Sequence, residues 1–312
     1  MYPQLLIDLN KLGENLDVLS GLAHRGDCSL MIVTKSFCAD ERIVAEILKN
    51  DGVEYLADSR IQNIASYADR VHIAGKETVL LRLPMASEAD EVVRHADLSL
   101  NSEIETIRLL DQAAGRQNKT HKVLLMIDLG DLREGMFYQD EEAIMAACDE
   151  ILKMRHVKLF GIGTNLTCYG AIIPKEDNLG QLAGLAGRIQ RRFRTTLAMV
   201  SGGNSSSVYL IPKRQLPAGI NNLRLGEAFI LGNETAYTSR IPGTCNDAVL
   251  LRAQIIECKE KPSLPIGEVG VDAFGEVPHY EDKGIITRAI LAVGKQEDRK
   301  STRLNSSHGY IS

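Results

Sequence analysis

SLMIVTKSFCADERIVAEILKNDGVEYLAD, residues 29–58, decides the fold class. It opens on SLMIVTK (29–35), a short apolar run without polar alternation, which suits a strand covered on both faces of a parallel sheet. DERIVAEILKNDG (40–52) changes period. Ile43, Val44, Ile47 and Leu48 fall on one helical face, Asp40 stands at an N-cap position and Gly52 where the helix ends. VEYLAD (53–58) returns to the texture of a strand. Strand, helix and strand in that order form a βαβ unit.

The unit repeats. TVLLRL (78–83), DLSLN (97–101), KVLLMIDL (122–129), VKLFGIGTN (157–165), TLAMVSGG (196–203) and LRLGEAFILG (223–232) bring the candidate strands to eight. Amphipathic stretches at 102–115, 140–154 and 179–193 lie between them. Eight such units predict an α/β fold of the (β/α)8 TIM-barrel type, although the same alternation also suits an open doubly wound sheet. After Gly232 the texture changes. AVLLRAQIIECKE (248–260) and GIITRAILAVGK (284–295) read as strands on either side of a Gly- and Pro-rich stretch, and LLIDLN (5–10) precedes the first helix as a further pairing segment. The expected organisation is a barrel over 10–232 and a smaller β-rich C-terminal domain from 1–9 and 233–297 that stops short. A polar tail over 298–312 has no core-facing stripe, resembles vector read-through, and is expected to be non-native and disordered.

Composition excludes several classes. The 312 residues are 44% hydrophobic and 25% charged, the profile of a globular protein. A net charge of −5 offers no basic footprint for nucleic acid or an acidic membrane surface. No apolar run approaches the roughly 18 residues of a membrane span, and MYPQLLIDLN lacks the layout of a secretory signal. The six cysteines are scattered without a CxxC pair, so neither a metal site nor a disulfide framework is expected, and a reducing cytoplasm is the expected compartment.

Barrel enzymes carry their chemistry at the C-terminal ends of the strands. Lys35 ends the first. A lysine desolvated there has a lowered pKa and becomes a nucleophilic amine; a lysine that simply reaches solvent at the barrel mouth is the ordinary alternative. The seventh strand runs into SGGNSSS (201–207), rich in hydroxyls and backbone N–H groups, and the eighth carries RLGE (224–227), where Gly226 permits close backbone approach. Phosphate sites in barrels often follow strands seven and eight. A phosphate there and a lysine on strand one suggest a cofactor with an aldehyde and a phosphate handle, for which pyridoxal 5'-phosphate fits.

At these residues the chain resembles the fold-type III pyridoxal-phosphate enzymes of the alanine racemase-like family, and within it the ornithine racemase branch. The segments that carry the resemblance are VTKSFCAD (33–40), GIGTNLTCYG (161–170), VSGGNSS (200–206), INNLRLGEAFILGNET (220–235), GEVGVDAFGEVPHYEDKG (267–284) and RAILAVGKQ (288–296). The resemblance implies an isomerase that racemises ornithine or another basic amino acid and is completed as a homodimer. Lys35 is then the Schiff-base lysine and one catalytic base. Asn204 and Ser205 hold the phosphate together with the backbone of Gly226 and Glu227, Arg224 faces the pyridine nitrogen, Asn165 lies near the ring where relatives carry histidine, and Arg133 lies on the substrate side. A donor-only arginine leaves the ring nitrogen unprotonated and weakens the electron sink.

There are departures. The phosphate-binding tyrosine of alanine racemases falls at Ala39, and their catalytic tyrosine falls near Val271 or Asp272. Asp272 is therefore the expected second acid, followed by Tyr280, with a plain turn role the alternative for Asp272. An acidic partner for the substrate's second amine could be Asp128, Asp131 or Glu134. Two other readings remain open: a cofactor-carrying protein without catalysis, which needs no second domain, and an aldolase or dehydratase of the same fold type, which would add a metal site.

Overall fold

The computed structural model describes residues 2–273 and 275–294 and the backbone of 309–311. The chain divides into a unit of Leu9–Ala248 and a second formed by Met1–Asp8 with Val249–Ser312.

The larger unit is the barrel. Its eight parallel strands are β2 (Ser29–Val33), β3 (Tyr55–Asp58), β4 (Glu77–Leu80), β5 (Leu98–Asn101), β6 (His121–Asp128), β8 (Val157–Gly163), β9 (Met199–Ser201) and β10 (Asn222–Leu225), and the ring closes where β10 pairs with β2. A two-residue strand, β7 (Met136–Phe137), lies beside the end of β6. Near-continuous apolar runs form these strands because both faces are covered. Met31 and Val33, Leu98 and Leu100, and Leu124 and Met126 point into one interior cluster with Ala57, Val79 and Met199, while the intervening Leu30 and Ile32 are buried on the opposite, outward face. The helices include α2 (Glu41–Leu48), α6 (Glu141–Lys153) and α7 (Glu176–Phe193). Asp40 caps α2 by accepting from the Arg42 N–H, as expected, and Asp140 caps α6 by accepting from the Ala143 N–H.

Two expectations about the larger unit are corrected. The stretch 223–232 is not one strand. It ends at Leu225, turns at Gly226, and continues as the short helix α8 (Glu227–Leu231), because a brief apolar run such as AFIL suits a buried helix as well as a strand. The barrel unit also runs past 232 to Ala248. The Asn15 side chain takes the Cys245 N–H at 2.6 Å and donates to the carbonyls of Cys245 and Phe229, while Thr244 bonds the Gly232 carbonyl, so this segment packs as part of the barrel.

In the second unit, β1 (Gln4–Ile7) pairs antiparallel with β11 (Val249–Arg252), and β12 (Ile255–Pro262) with β13 (Ile285–Leu291). The stretch 248–260 thus holds two strands rather than one. Of the expected tail, only 309–311 lies within the described residues, as a short strand β14 (Gly309–Ile311) beside β13.

The closest backbone approach in the barrel wall is at Gly161. A Cβ there would stand 1.8 Å from the Met199 carbonyl oxygen, whereas one at Gly180, inside α7, would meet nothing within 4 Å. Gly161→Ala is therefore expected to cost about 3 kcal/mol or more, since β8 and β9 must separate, and Gly180→Ala to add up to about 1 kcal/mol; urea midpoints of the two variants check both. Buried His121, its Nε2 2.8 Å from Ser99 Oγ, is held neutral by desolvation, which pushes its pKa down to about 4. Between pH 6.5 and 4 the unfolded chain takes up a proton at this ring that the folded chain refuses, so stability falls with pH by about 3 kcal/mol. His121→Gln should lose correspondingly less across the same interval.

Candidate active site

The expected site residues of the barrel gather at the C-terminal ends of its strands. Lys35 follows β2 as the first residue of a 3₁₀ turn (Lys35–Phe37). It is exposed, so the desolvation expected of it is not supplied by the barrel wall. Behind it lies a network that the sequence reading missed. Thr34 Oγ1 donates to Asp58 Oδ2 at 2.5 Å, and Asp58 Oδ1 accepts from the Arg60 N–H and Asn63 Nδ2. Buried Tyr67 stands 3.4 Å from Thr34 Oγ1, with its pKa raised by burial. The only signal was a charged residue, Asp58, closing an apolar strand.

Arg224 sits on β10 and is only 4% exposed. Its guanidinium donates to Ser201 Oγ at 2.5 Å and to the Thr164 carbonyl at 2.6 Å. Burial pushes its pKa down to about 10, with Glu134 and Cys168 opposing the shift, so it remains charged at neutral pH.

Asn204 and Ser205 open the 3₁₀ turn Ser205–Leu210 after β9. Asn204 Oδ1 accepts from the Ser206 N–H, while its Nδ2 donates to Asn165 Oδ1 at 2.9 Å and to the Leu166 carbonyl at 2.9 Å. Ser205 Oγ accepts from the N–H groups of Gly226 at 3.4 Å and Ala228 at 3.2 Å. A Cβ on Gly226 would lie 3.3 Å from Val33 Cβ, so any larger residue there would crowd β2. Beside this cradle Ser206 Oγ is buried without a hydrogen-bond partner. A phosphate is the kind of acceptor that such an orphaned hydroxyl and amide-rich turn fit.

The third wall is the β6–α6 connection. Asp128 Oδ1 accepts from the N–H groups of Gly130 and Leu132. Asp131, almost fully buried, accepts from the N–H groups of Thr167, Tyr169 and Ile172 and so pins the loop after β8. Glu134 differs, because side chains hold it: Asn165 Nδ2 on Oε1 at 3.2 Å and Arg133 Nε on Oε2 at 2.8 Å. Arg133, Glu134, Asn165 and Asn204 thus form one chain of contacts across three loops.

Asp272 lies in the other unit. Its N–H donates to the Glu276 carbonyl, and its Oδ1 accepts from the Glu276 N–H, a turn geometry. Tyr280 is exposed.

The sequence profile of the family described as alanine racemase, N-terminal domain, matches residues 7–233. The chain is 51% identical over 297 residues to the ornithine racemase of Acetoanaerobium sticklandii, which spans 95% of this chain and 82% of that protein. It is 37% identical to the lysine racemase of Thermotoga maritima over 95% of this chain and 81% of that protein. Among solved structures, the alanine racemase from Bartonella henselae with covalently bound pyridoxal phosphate superposes with a TM-score of 0.66 at 16% identity, covering 95% of this chain and 76% of the other.

Asp131 is the residue on which the loop after β8 depends. Asp131→Asn replaces an acceptor by a donor facing backbone N–H groups, at an expected cost of about 1–3 kcal/mol. Hydrogen exchange at Thr167, Tyr169 and Ile172 should then accelerate well before exchange in β6.

Proposed function

The chain belongs to the alanine racemase family, and we propose that it racemises a basic amino acid, ornithine foremost, with pyridoxal 5'-phosphate held at the barrel mouth. The observation that carries this reading is a juxtaposition. Lys35 follows β2, Arg224 lies on β10 with Gly226 just after it, and Asn204 with Ser205 follow β9, three neighbouring strands of the ring. The 51% identity to an ornithine racemase supports the substrate class.

The orphaned Ser206 hydroxyl, the Ser205 hydroxyl and the Gly226–Glu227 backbone are the residues that would hold the phosphate, with Asn204 shaping the turn. When bound, the cofactor draws electrons from the substrate's Cα and acidifies the proton there. Arg224 offers the ring nitrogen a donor that cannot become an acceptor. Asn165, fixed between Glu134 and Asn204, would lie beside the ring, and Arg133 would present a cation to the substrate carboxylate. The Lys35 amine carries the Cα proton on one face.

Racemisation needs a second group for the opposite face, since one base tends to return a proton to the side it left. Asp272 of a second copy of the chain is the assigned candidate, which makes the working form a homodimer. A small-molecule substrate with no nucleic-acid or membrane partner accords with a net charge of −5, and a cytoplasmic setting with six free cysteines. Among the described residues no helix is long and apolar enough to cross a membrane.

Purified chain should show the visible absorbance of lysine-linked pyridoxal phosphate and abolish the optical rotation of L-ornithine. Lys35→Ala should lose that absorbance and slow racemisation by about 10³-fold or more. Absorbance without racemisation of any amino acid would instead support a cofactor carrier, and no absorbance in the wild type would remove the cofactor assignment.

A further inference from the structure

Three carboxylates follow the core of β6, and the structure separates them. A substrate such as ornithine brings one carboxylate and two amines. Its carboxylate calls for a cation and its side-chain ammonium for an anion, and an anion already spent on backbone N–H groups offers little to a ligand. Asp131 is spent in this way, its two oxygens on three N–H groups, whereas Asp128 spends one oxygen, Oδ1, on two N–H groups of its own turn; both residues are buried. Glu134 is held by side chains that belong to the mouth itself. Its side chain keeps 17% exposure, and Arg133, bonded to it at 2.8 Å, keeps 46%. Its other oxygen meets Asn165, which continues to Asn204 at the phosphate turn. Glu134 therefore stands between the cation assigned to the substrate carboxylate and the residues assigned to the cofactor.

The geometry points to Glu134 as the specificity-determining residue that binds the side-chain ammonium of a basic amino acid. This rests on the proposed racemase reading and deepens it. Each carboxylate oxygen has two lone pairs, and the bonds from Asn165 and Arg133 occupy one on each, so an ammonium can be accepted without breaking either contact. The pair Arg133–Glu134 then reads both ends of the substrate: the guanidinium takes the α-carboxylate, and the carboxylate takes the distal amine. An amino acid that lacks the distal amine would leave Glu134 with Arg133 and Asn165 alone, which costs it nothing, so Glu134 selects for basic side chains without forbidding neutral ones.

The test compares L-ornithine with L-norvaline, the same chain without the δ-amine, as ligands of the cofactor-loaded protein. Binding is read by isothermal titration and turnover by optical rotation. Glu134→Gln keeps the shape and an acceptor for Asn165 but removes the charge. The ratio of ornithine to norvaline affinity is expected to fall by about 10–100-fold, the range of one charge-assisted hydrogen bond; the amide also turns a donor toward Arg133, a loss that ornithine and norvaline share and that cancels in the ratio. Glu134→Asp, which retains the charge on a shorter stem, should preserve part of the preference and covers the case in which Glu134→Gln fails to load cofactor. A fall of both affinities by the same factor would mean that Glu134 only positions Arg133, and no change in either affinity would mean that the ammonium binds elsewhere; either overturns the assignment. A wild-type protein that prefers ornithine through Glu134 but turns over neither amino acid would overturn the racemase reading and leave this one standing.

Discussion

Closing the ring through the pairing of β10 with β2 is the constraint on which the site depends. It joins residues far apart in sequence. Leu225 registers with Ile32, and Asn222 donates to Ser29 across 193 positions. Without closure, Lys35 would sit on an edge strand and the Arg224–Gly226 segment on the opposite edge. With it, Gly226, whose missing side chain lets the backbone approach β2, packs against Val33, two residues before the lysine. Burial on both faces is what makes closure favourable, because Met31, Val33, Leu98, Leu124 and Met199 lose water only when the interior is sealed.

The same burial made much of the fold readable in advance. Strands covered on both faces need unbroken apolar runs, so all eight barrel strands announced themselves. Failures came where one local pattern serves two structures. AFIL after Gly226 forms a helix but reads as strand, and only the backbone break at Gly226, with φ −123° and ψ −67°, tells them apart. Residues 233–248 look like the start of another domain, yet Asn15, on the first helix, ties them to the barrel through Cys245. That bond spans 230 positions and has no local signature.

For the candidate site, short segments brought forward particular residue types: a lysine after an apolar strand, hydroxyls and glycines where a phosphate would sit. They did not suffice for the carboxylates. Asp128, Asp131 and Glu134 lie within seven residues and look alike in sequence. Their roles diverge because the N–H groups that claim Asp131 come from Thr167, Tyr169 and Ile172 on another loop, and those claiming Asp128 come from its own turn. A carboxylate's function here is set by which donors the fold aims at it. Lys35 takes the solvent-reaching one of its two readings, since the strand ends at Val33 and the residue opens the exposed turn that follows.

These bonds also hold strained backbone in place. Cys38, Ala39, Leu132, Thr167 and Ala171 adopt left-handed conformations, with φ between 51° and 74°, and all five lie in loops at the C-terminal ends of strands. Each such residue costs of order 1 kcal/mol or more unless its surroundings over-determine it. The surroundings are the site's own framework. The Thr167 N–H is bonded to Asp131, the Leu132 N–H to Asp128, and the Ala39 N–H to the Thr34 carbonyl beside Lys35. Strain and its compensation therefore share the same loops. A substitution that relaxed one of these turns would stabilise the loop locally and at the same time move a side chain that the chemistry needs in place, so the mouth gains its order from buried carboxylates rather than from easy backbone geometry.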